Sequence, residues 1–230
     1  MAMNRIVQPE LLDTLPIADP RAVHSRHDLL RINAWMRNHV IMAEALQTAA
    51  NGLAPQQITD LGAGDGQFSV RVAKILSSRW PHMNVTLLDN RPVASSPTLA
   101  AFPPLGWQAE VTVADVFDWL PTAKLDVVVA NLFLHHFNDA RLAELFRAIA
   151  GRARLFVAIE PRRSFRPLLC CRLLWVIGCN SVTRHDATVS VRAGFSGREL
   201  SALWPASSDW KLTERRSGFF SHVFIAQRMQ

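Results

Sequence analysis

Acidic residues and glycines in this chain concentrate where a β-rich run gives way to a helical pattern. Asp60 is followed at alternate positions by Gly62, Gly64 and Gly66. Glycines at such places let the backbone approach a ligand closely, and the first N–H groups of the following helix point outward. The turn therefore predicts a cradle for a nucleotide-like ligand.

Two further acidic residues follow the next two β-rich runs. Asp89, with Asn90 after it, closes the second run, and Asp115 follows the third. A carboxylate can accept hydrogen bonds from both hydroxyls of a ribose or from the amino group of adenine. Because the carboxyl ends of adjacent parallel strands converge on one crevice, Asp60, Asp89 and Asp115 are predicted to face a single ligand. Gln67 stands where the dinucleotide fingerprint requires glycine, which disfavours NAD.

Four segments carry a resemblance to a known family. In ITDLGAGDGQ, VTLLDN, VADVFDWLP and LDVVVANLFLHHF the sequence resembles the class I S-adenosylmethionine (SAM) dependent methyltransferases, in order and spacing, from about Leu29 to the C-terminus. The resemblance implies SAM as the cofactor and a small molecule as the methyl acceptor. The alternative for Asp89 and Asp115 is that they only cap turns. The implied cofactor-binding residues are Asp60, Gly62, Gly64, Gly66, Asp89, Asn90, Asp115, Val116 and Asn131.

Histidines are the candidates for proton transfer. Methyl transfer from a sulfonium is an in-line displacement, so it needs a proton acceptor only when the nucleophile is an unionised hydroxyl or amine. His135 and His136 follow the fourth β-rich run, and since neighbours on a strand end point in opposite directions, we expect only His135 to face the substrate. His185 beside Asp186 is the second candidate, and the alternative there is a surface salt bridge between Arg184 and Asp186.

The elements that must position these residues alternate between strands and helices. Short apolar runs predict strands over 58–61, 84–88, 110–113, 125–130 and 155–159. A continuous apolar run such as 125–130 is typical of a parallel strand covered on both faces. Two closing runs, 210–213 and 219–226, predict a hairpin that turns through Ser217 and Gly218. The pattern predicts an α/β sandwich with helices on both faces of the sheet.

A single methyltransferase domain is predicted over 1–230. Its parts are a lid helix over 25–50 that ends at Asn51 and Gly52, a SAM-binding core over 56–160, a helix and substrate-side insertion over 164–205, and a closing hairpin over 210–228. Within the insertion, 180–196 is predicted to be irregular. Trp35 on the lid helix is predicted as a core residue, with substrate contact as the alternative. The resemblance implies a Rossmann-like three-layer sandwich whose seven-stranded, mostly parallel sheet has the order 3-2-1-4-5-7-6 with strand 7 antiparallel.

Composition narrows the classes of function. A chain of 230 residues that is 49% hydrophobic and 19% charged has room for one catalytic domain. Its opening residues show no secretory signal, so we expect a cytoplasmic protein. The three cysteines lack metal-ligand spacing, so we expect reduced thiols and no metal. The net charge of +6 would suit nucleic acid, but the basic residues are scattered, which disfavours that partner.

The identity of the acceptor and of any partner stays open. Seven tryptophans and twelve phenylalanines favour an apolar or aromatic acceptor, such as a phenol, a quinone or a lipid-like molecule. The apolar stretch 168–179 is too short to span a membrane, and the segment 164–179 is predicted as a helix that could contact a membrane surface or a protein. The alternatives are an RNA methyltransferase and a non-catalytic SAM-fold regulatory subunit, but the intact glycine turn favours an enzyme.

Overall fold

A seven-stranded sheet of order β3-β2-β1-β4-β5-β7-β6 forms the centre of the computed structural model, which describes residues 3–16, 18–50 and 55–229. Strand β7 is antiparallel to both of its neighbours, and the other pairs are parallel. The strands are β1 (Gln57–Leu61), β2 (Asn84–Asp89), β3 (Gln108–Val113), β4 (Val127–Asn131), β5 (Leu155–Pro161), β6 (Trp210–Ser217) and β7 (Ser221–Arg228). The order and the antiparallel strand confirm the predicted fold.

Helices cover both faces of this sheet. They are α1 (Leu11–Thr14), α2 (Pro20–Met36), α3 (Asn38–Ala49), α4 (Gln67–Leu76), α5 (Ser96–Ala100), α6 (Val116–Trp119), α7 (Asp139–Ala150), α8 (Phe165–Leu173), α9 (Ser181–Ala193) and α10 (Glu199–Leu203). Because side chains alternate along a strand, Val127 and Val129 of β4 join an apolar core with α3 and α4, whereas Val128 and Ala130 join a second core with α7 and α10. Burial on both faces explains why β4 reads as a continuous apolar run.

The predicted lid helix is two helices. Arg37 adopts a left-handed conformation with φ of 55° and separates α2 from α3. The predicted helix end at Asn51 and Gly52 lies outside the described residues. Trp35, in the last turn of α2, is 71% exposed, so its prediction as a core residue is wrong.

The segment predicted to be irregular, 180–196, is mostly the helix α9. The Asn180 side chain caps it by accepting a hydrogen bond from the backbone N–H of Thr183, at 2.8 Å. Its β-branched residues lower helix propensity, but Val182, Asp186 and Val189 recur at helical spacing and are buried together. The burial of these side chains therefore outweighs the low helix propensity of the segment.

The other differences from the predicted elements are small shifts of their ends. Strand β6 continues to Ser217, and the hairpin turns over 218–220. The segment predicted as a helix over 164–179 is helical over Phe165–Leu173. No helix among the described residues is both long and apolar enough to cross a membrane.

Candidate active site

The glycine turn connects β1 to α4, and its three glycines are required for different structural reasons. All three have positive φ angles, between 56° and 76°. A Cβ added to Gly62 would lie 2.3 Å from Cδ2 of Phe133, and one added to Gly66 would lie 2.9 Å from Cδ1 of Leu87. A Cβ added to Gly64 would meet no atom within 4 Å. Close packing accounts for Gly62 and Gly66, whereas Gly64 borders open space that a ligand can enter.

Asp60 lies buried beneath this turn. Its Oδ2 accepts a hydrogen bond of 2.6 Å from the Ser69 hydroxyl, which joins the end of β1 to the first turn of α4. Burial raises the pKa of Asp60 to about 7, against the opposing effect of the Ser69 hydrogen bond. The structure thus places Asp60 at the base of the cradle.

Asp89 and Asp115 end the neighbouring strands, as predicted. The Asp89 carboxylate accepts the Gly64 N–H at 2.8 Å and the Arg91 N–H at 2.9 Å, so it supports the glycine turn directly. Asp115 is exposed and caps α6 by accepting the Phe117 N–H at 2.8 Å. Both residues therefore cap turns, but each carboxylate still has unused acceptor positions for a ligand. Of their neighbours, Asn90 is exposed and Val116 is buried.

The end of β4 is tied to the start of α3. The Asn131 Oδ1 accepts a hydrogen bond of 3.0 Å from the Asn38 amide, and the Asn38 Oδ1 accepts one of 2.8 Å from the Ser221 hydroxyl. Leu132, the next residue, has a positive φ of 55°, which is uncommon for a residue with a side chain. Such strain clusters at functional sites, and here it redirects the chain toward the histidines.

A buried glutamate, Glu160, organises the two histidines after β4. Its Oε1 accepts the backbone N–H groups of Phe133 and Leu134, at 3.0 and 2.8 Å. Its Oε2 lies 2.8 Å from Nδ1 of His135. On the other side of that ring, Nε2 lies 3.4 Å from Oε1 of Glu10. His135 is therefore held between two carboxylates.

The two histidines are in opposite protonation states at neutral pH. Desolvation alone would lower the pKa of His135, but hydrogen bonds and charges from Glu10 and Glu160 outweigh it and raise the pKa to about 9. The ring of His136 lies 4.3 Å from that of His135. Burial, and then the positive charge of His135, lower the pKa of His136. His135 thus already carries its proton, whereas His136 is free to accept one.

This arrangement makes stability depend on pH in a defined window. The pKa of His135 is raised on folding, so its contribution is complete below pH 6.5 and is lost as the pH rises to about 9. We expect His135→Gln to remove a pH-dependent term of about 3 kcal/mol. Urea unfolding of both proteins at the two ends of the window measures it, because titrating groups that do not contact His135 contribute equally to both proteins. Equal pH slopes in the two proteins would contradict the charged state of His135.

Asp186 holds the N-terminal segment across the histidines. Its carboxylate oxygens accept the N–H groups of Leu11 and Leu12, at 2.8 and 2.9 Å, which caps α1. His185 is half-exposed, and its Nδ1 lies 2.9 Å from the same carboxylate. Arg184 donates to the Asn180 carbonyl oxygen instead, so the predicted alternative of a surface salt bridge with Asp186 is wrong. Asp186 acts on the site through the segment that it anchors.

Sequence reasoning missed the acidic partners of the histidines. Glu10 comes from the N-terminal segment, and Nδ1 of His136 lies 3.6 Å from Oδ2 of Asp13 in the same segment. Glu160 ends β5 as the other acidic residues end β1 and β2, and that signal could have found it. Ligand atoms of Glu10, His135 and His136 lie within 4.8 Å of one another, a spacing that could hold a metal. Because each ring nitrogen of His135 faces a carboxylate, we interpret this cluster as a hydrogen-bonded charge network.

Comparison with known proteins finds methyltransferases that are similar to part of this chain. Residues 58–154 match the family model of a methyltransferase domain. An uncharacterized methyltransferase of Mycobacterium tuberculosis is 34% identical over 110 residues, which are 47% of this chain and 51% of that protein. The trans-aconitate 2-methyltransferase of Streptomyces avermitilis is 27% identical over 170 residues, covering 69% of this chain and 61% of that protein. The matched segment therefore spans only about half to three fifths of these relatives.

Solved structures show the same fold over most of the chain. The plantazolicin methyltransferase BpumL, in complex with a monoazolic desmethylPZN analog and S-adenosylhomocysteine (SAH), superposes with a TM-score of 0.68 at 15% identity, and the match covers 92% of both chains. The mitomycin 7-O-methyltransferase MmcR gives a TM-score of 0.60 at 20% identity, over 94% of this chain and 60% of that one. The family model over residues 58–154, the methyltransferase relatives and the shared fold support the recognition of a class I SAM-dependent methyltransferase.

Proposed function

We propose that this protein, a class I methyltransferase by family model and fold, transfers the methyl group of SAM to a hydroxyl group of a small aromatic molecule. The family and the fold support the methyl transfer. The histidine cluster at the end of β4 supports a hydroxyl acceptor, because a hydroxyl must lose its proton. The open space at Gly64 is the single observation that carries the cofactor assignment.

The residues around Gly64 fit SAM. The backbone approaches the open space without a side chain, and Asp89 holds that backbone in place through the Gly64 N–H. Asp89 and Asp115 keep free acceptor positions for ribose hydroxyls and for an adenine amino group. When bound, SAM would supply a methyl group on a positively charged sulfur, so the acceptor needs alignment more than activation.

On the acceptor side, we assign the proton-accepting role to His136. Its imidazole is uncharged near neutral pH because burial and the neighbouring His135 cation lower its pKa. His135, which stays protonated between Glu10 and Glu160, is assigned the role of a fixed cation that favours an oxyanion. His185, whose Nδ1 lies beside the Asp186 carboxylate, ranks below His136 as a base because its ring is half-exposed. The half-buried rings of Phe133 and Phe137, 5.0 Å apart, support an aromatic acceptor.

Transfer from labelled SAM into separate panels of phenols, amines, carboxylic acids and RNA tests this function. We expect labelled phenol, with a rate that changes little with salt. Labelled RNA with a steep salt dependence would instead favour the RNA methyltransferase. SAM binding without transfer to any acceptor, together with capture of a protein partner, would favour the regulatory subunit. Labelled amines or carboxylic acids alone would overturn the hydroxyl assignment but keep the methyl transfer.

A change at Asp89 tests the ribose contact. We expect Asp89→Ala to weaken SAM binding by about 2–3 kcal/mol, because it removes charge-assisted hydrogen bonds to two hydroxyls. Calorimetric titration with SAM measures the loss. Since Asp89 also accepts the Gly64 N–H, Asp89→Asn is the matched control that retains an acceptor for the turn. Tighter binding of NAD than of SAM to the unmodified protein would show that the cofactor assignment is wrong.

A further inference from the structure

One helix presents apolar side chains to solvent. In α8, Phe165, Leu169 and Leu173 are exposed, and they recur every four residues on one side of the helix. Pro167 and Cys171, on the opposite side, are buried against the neighbouring structure. An amphipathic surface helix normally presents polar side chains to solvent, whereas this helix exposes an apolar stripe.

The turn after α8 extends this apolar stripe. Trp175, Val176 and Ile177 are 63%, 63% and 58% exposed, and Phe165 at the other end of the stripe is 73% exposed. We call these three residues and the exposed side chains of Phe165, Leu169 and Leu173 the α8 face. Six large apolar side chains are exposed within thirteen residues, and such a concentration of exposed apolar surface marks a binding surface.

The charged side chains within the α8 segment itself are all positive. Residues 161–185 contain no aspartate or glutamate, but they include the surface residues Arg162, Arg166 and Arg172. Salt bridges between described residues involve other arginines, such as Arg163 with Glu199. The positive charge of the surface arginines is therefore available to an anionic partner.

A basic cleft lies at the N-terminal end of α8. Its volume is about 730 Å³, and it is lined by Arg162, Ser164, Phe165, Arg166, Arg216, Gly218 and Phe219. The Ser164 side chain does not cap the helix, and its buried Oγ has no hydrogen-bond partner among the described residues. Free N–H groups at the helix start and three guanidinium groups favour a phosphate.

Aromatic contacts continue the surface beyond the cleft. The Arg166 guanidinium lies 5.8 Å from the centre of the Phe219 ring, and Phe219 contacts Phe220. The Phe220 ring lies 5.1 Å from that of Trp35, the exposed tryptophan at the end of α2. Arginine, tryptophan and phenylalanine together are the residues that settle at the boundary between lipid headgroups and acyl chains.

We propose that the α8 face and the basic cleft dock this protein onto a membrane surface that contains anionic phospholipids. The apolar side chains enter the interface, and the cleft binds a phosphate headgroup. The positive charge favours an anionic membrane surface over an apolar protein partner. An apolar partner would not require a cluster of arginines without salt bridges beside the apolar stripe. The helix lies on the surface, since it has only nine residues. Docking does not depend on the proposed methyl transfer.

Co-sedimentation with vesicles tests the docking. We expect the protein to pellet with vesicles of phosphatidylglycerol and phosphatidylcholine at least ten times more strongly than with phosphatidylcholine alone, by the added attraction of about three arginines. High salt should remove most of that preference. Equal binding to both kinds of vesicle, or binding to neither, would overturn the proposal.

Two variants locate the contact. Arg166→Gln should weaken vesicle binding about five-fold, and the combined change of Phe165, Trp175 and Ile177 to serine should weaken it at least ten-fold. All three apolar side chains are more than half exposed, so the fold should persist, and circular dichroism checks it. Met229→Ser is the matched control, because Met229 is 54% exposed at the far end of β7 from the cleft. Undiminished vesicle binding by the triple variant would refute the α8 face as the docking surface.

A second copy of the chain is the competing occupant. Sedimentation of the free protein over a range of concentrations distinguishes the two cases. A monomer that binds anionic vesicles supports the proposal. A dimer that the triple serine change dissociates, and that does not bind vesicles, would overturn it.

Discussion

Replacement of Gly64 by valine is expected to abolish SAM binding in a protein that still folds. The backbone at Gly64 has a φ of 56°, and no atom lies within 4 Å of the place that a Cβ would occupy. A valine side chain would therefore project into the space that we assign to the cofactor. Titration with SAM and SAH should show no heat, and neither ligand should raise the melting temperature, because ligands stabilise only the state that they bind.

The control for this change is Gly197→Val. Gly197 has a φ of 61° and is also free of atoms within 4 Å of an added Cβ. Both substitutions therefore carry the same left-handed backbone strain, on the order of 1–2 kcal/mol. Only the change at Gly64 should abolish ligand binding. If the Gly64→Val protein is folded and binds SAM with its original affinity, the cofactor lies elsewhere.

The fold was predictable because its signals are local in the sequence. Burial on both faces leaves a continuous apolar run such as β4, and a strand followed by glycines and a helical pattern defines one β–turn–α unit. Helix α9 was not predictable in this way, because its β-branched residues oppose the helical spacing of its buried ones. There the packing of the folded chain outweighs local propensity.

The candidate site was predictable only in its cofactor half. Asp60, Asp89 and Asp115 follow strands that are recognisable one by one. The acceptor half depends on contacts between distant parts of the chain, since 125 residues separate Glu10 from His135. The protonated state of His135 and the neutral state of His136 could therefore not be derived from the sequence. For that reason the sequence alone favoured His135 as the base. The environment of the two rings now favours His136.

The loss of His136 is expected to have the largest effect on turnover. If His136 takes the proton of an aromatic hydroxyl, His136→Ala should lower turnover by about 100-fold to 10,000-fold and leave SAM affinity unchanged. His135→Ala should act differently. It leaves the buried Glu160 and the partly buried Glu10 without their cation, so it should lower the melting temperature first. His185→Ala should have little effect on either quantity, because that ring is half-exposed.

The pH profile separates a base from a packing residue. In the unmodified enzyme the turnover should be level between pH 6.5 and about pH 9, because the pKa of His136 is lowered from 6.5 and His135 keeps its proton up to about pH 9. Without His136 the acceptor must ionise by itself, so turnover in His136→Ala should rise about ten-fold per pH unit toward a phenolic pKa of about 10. A variant that had lost only packing would keep the original profile and recover near-normal turnover at low temperature. Full activity in all three histidine variants would exclude base catalysis by histidine, and alignment and desolvation of an already ionised acceptor would then carry the reaction.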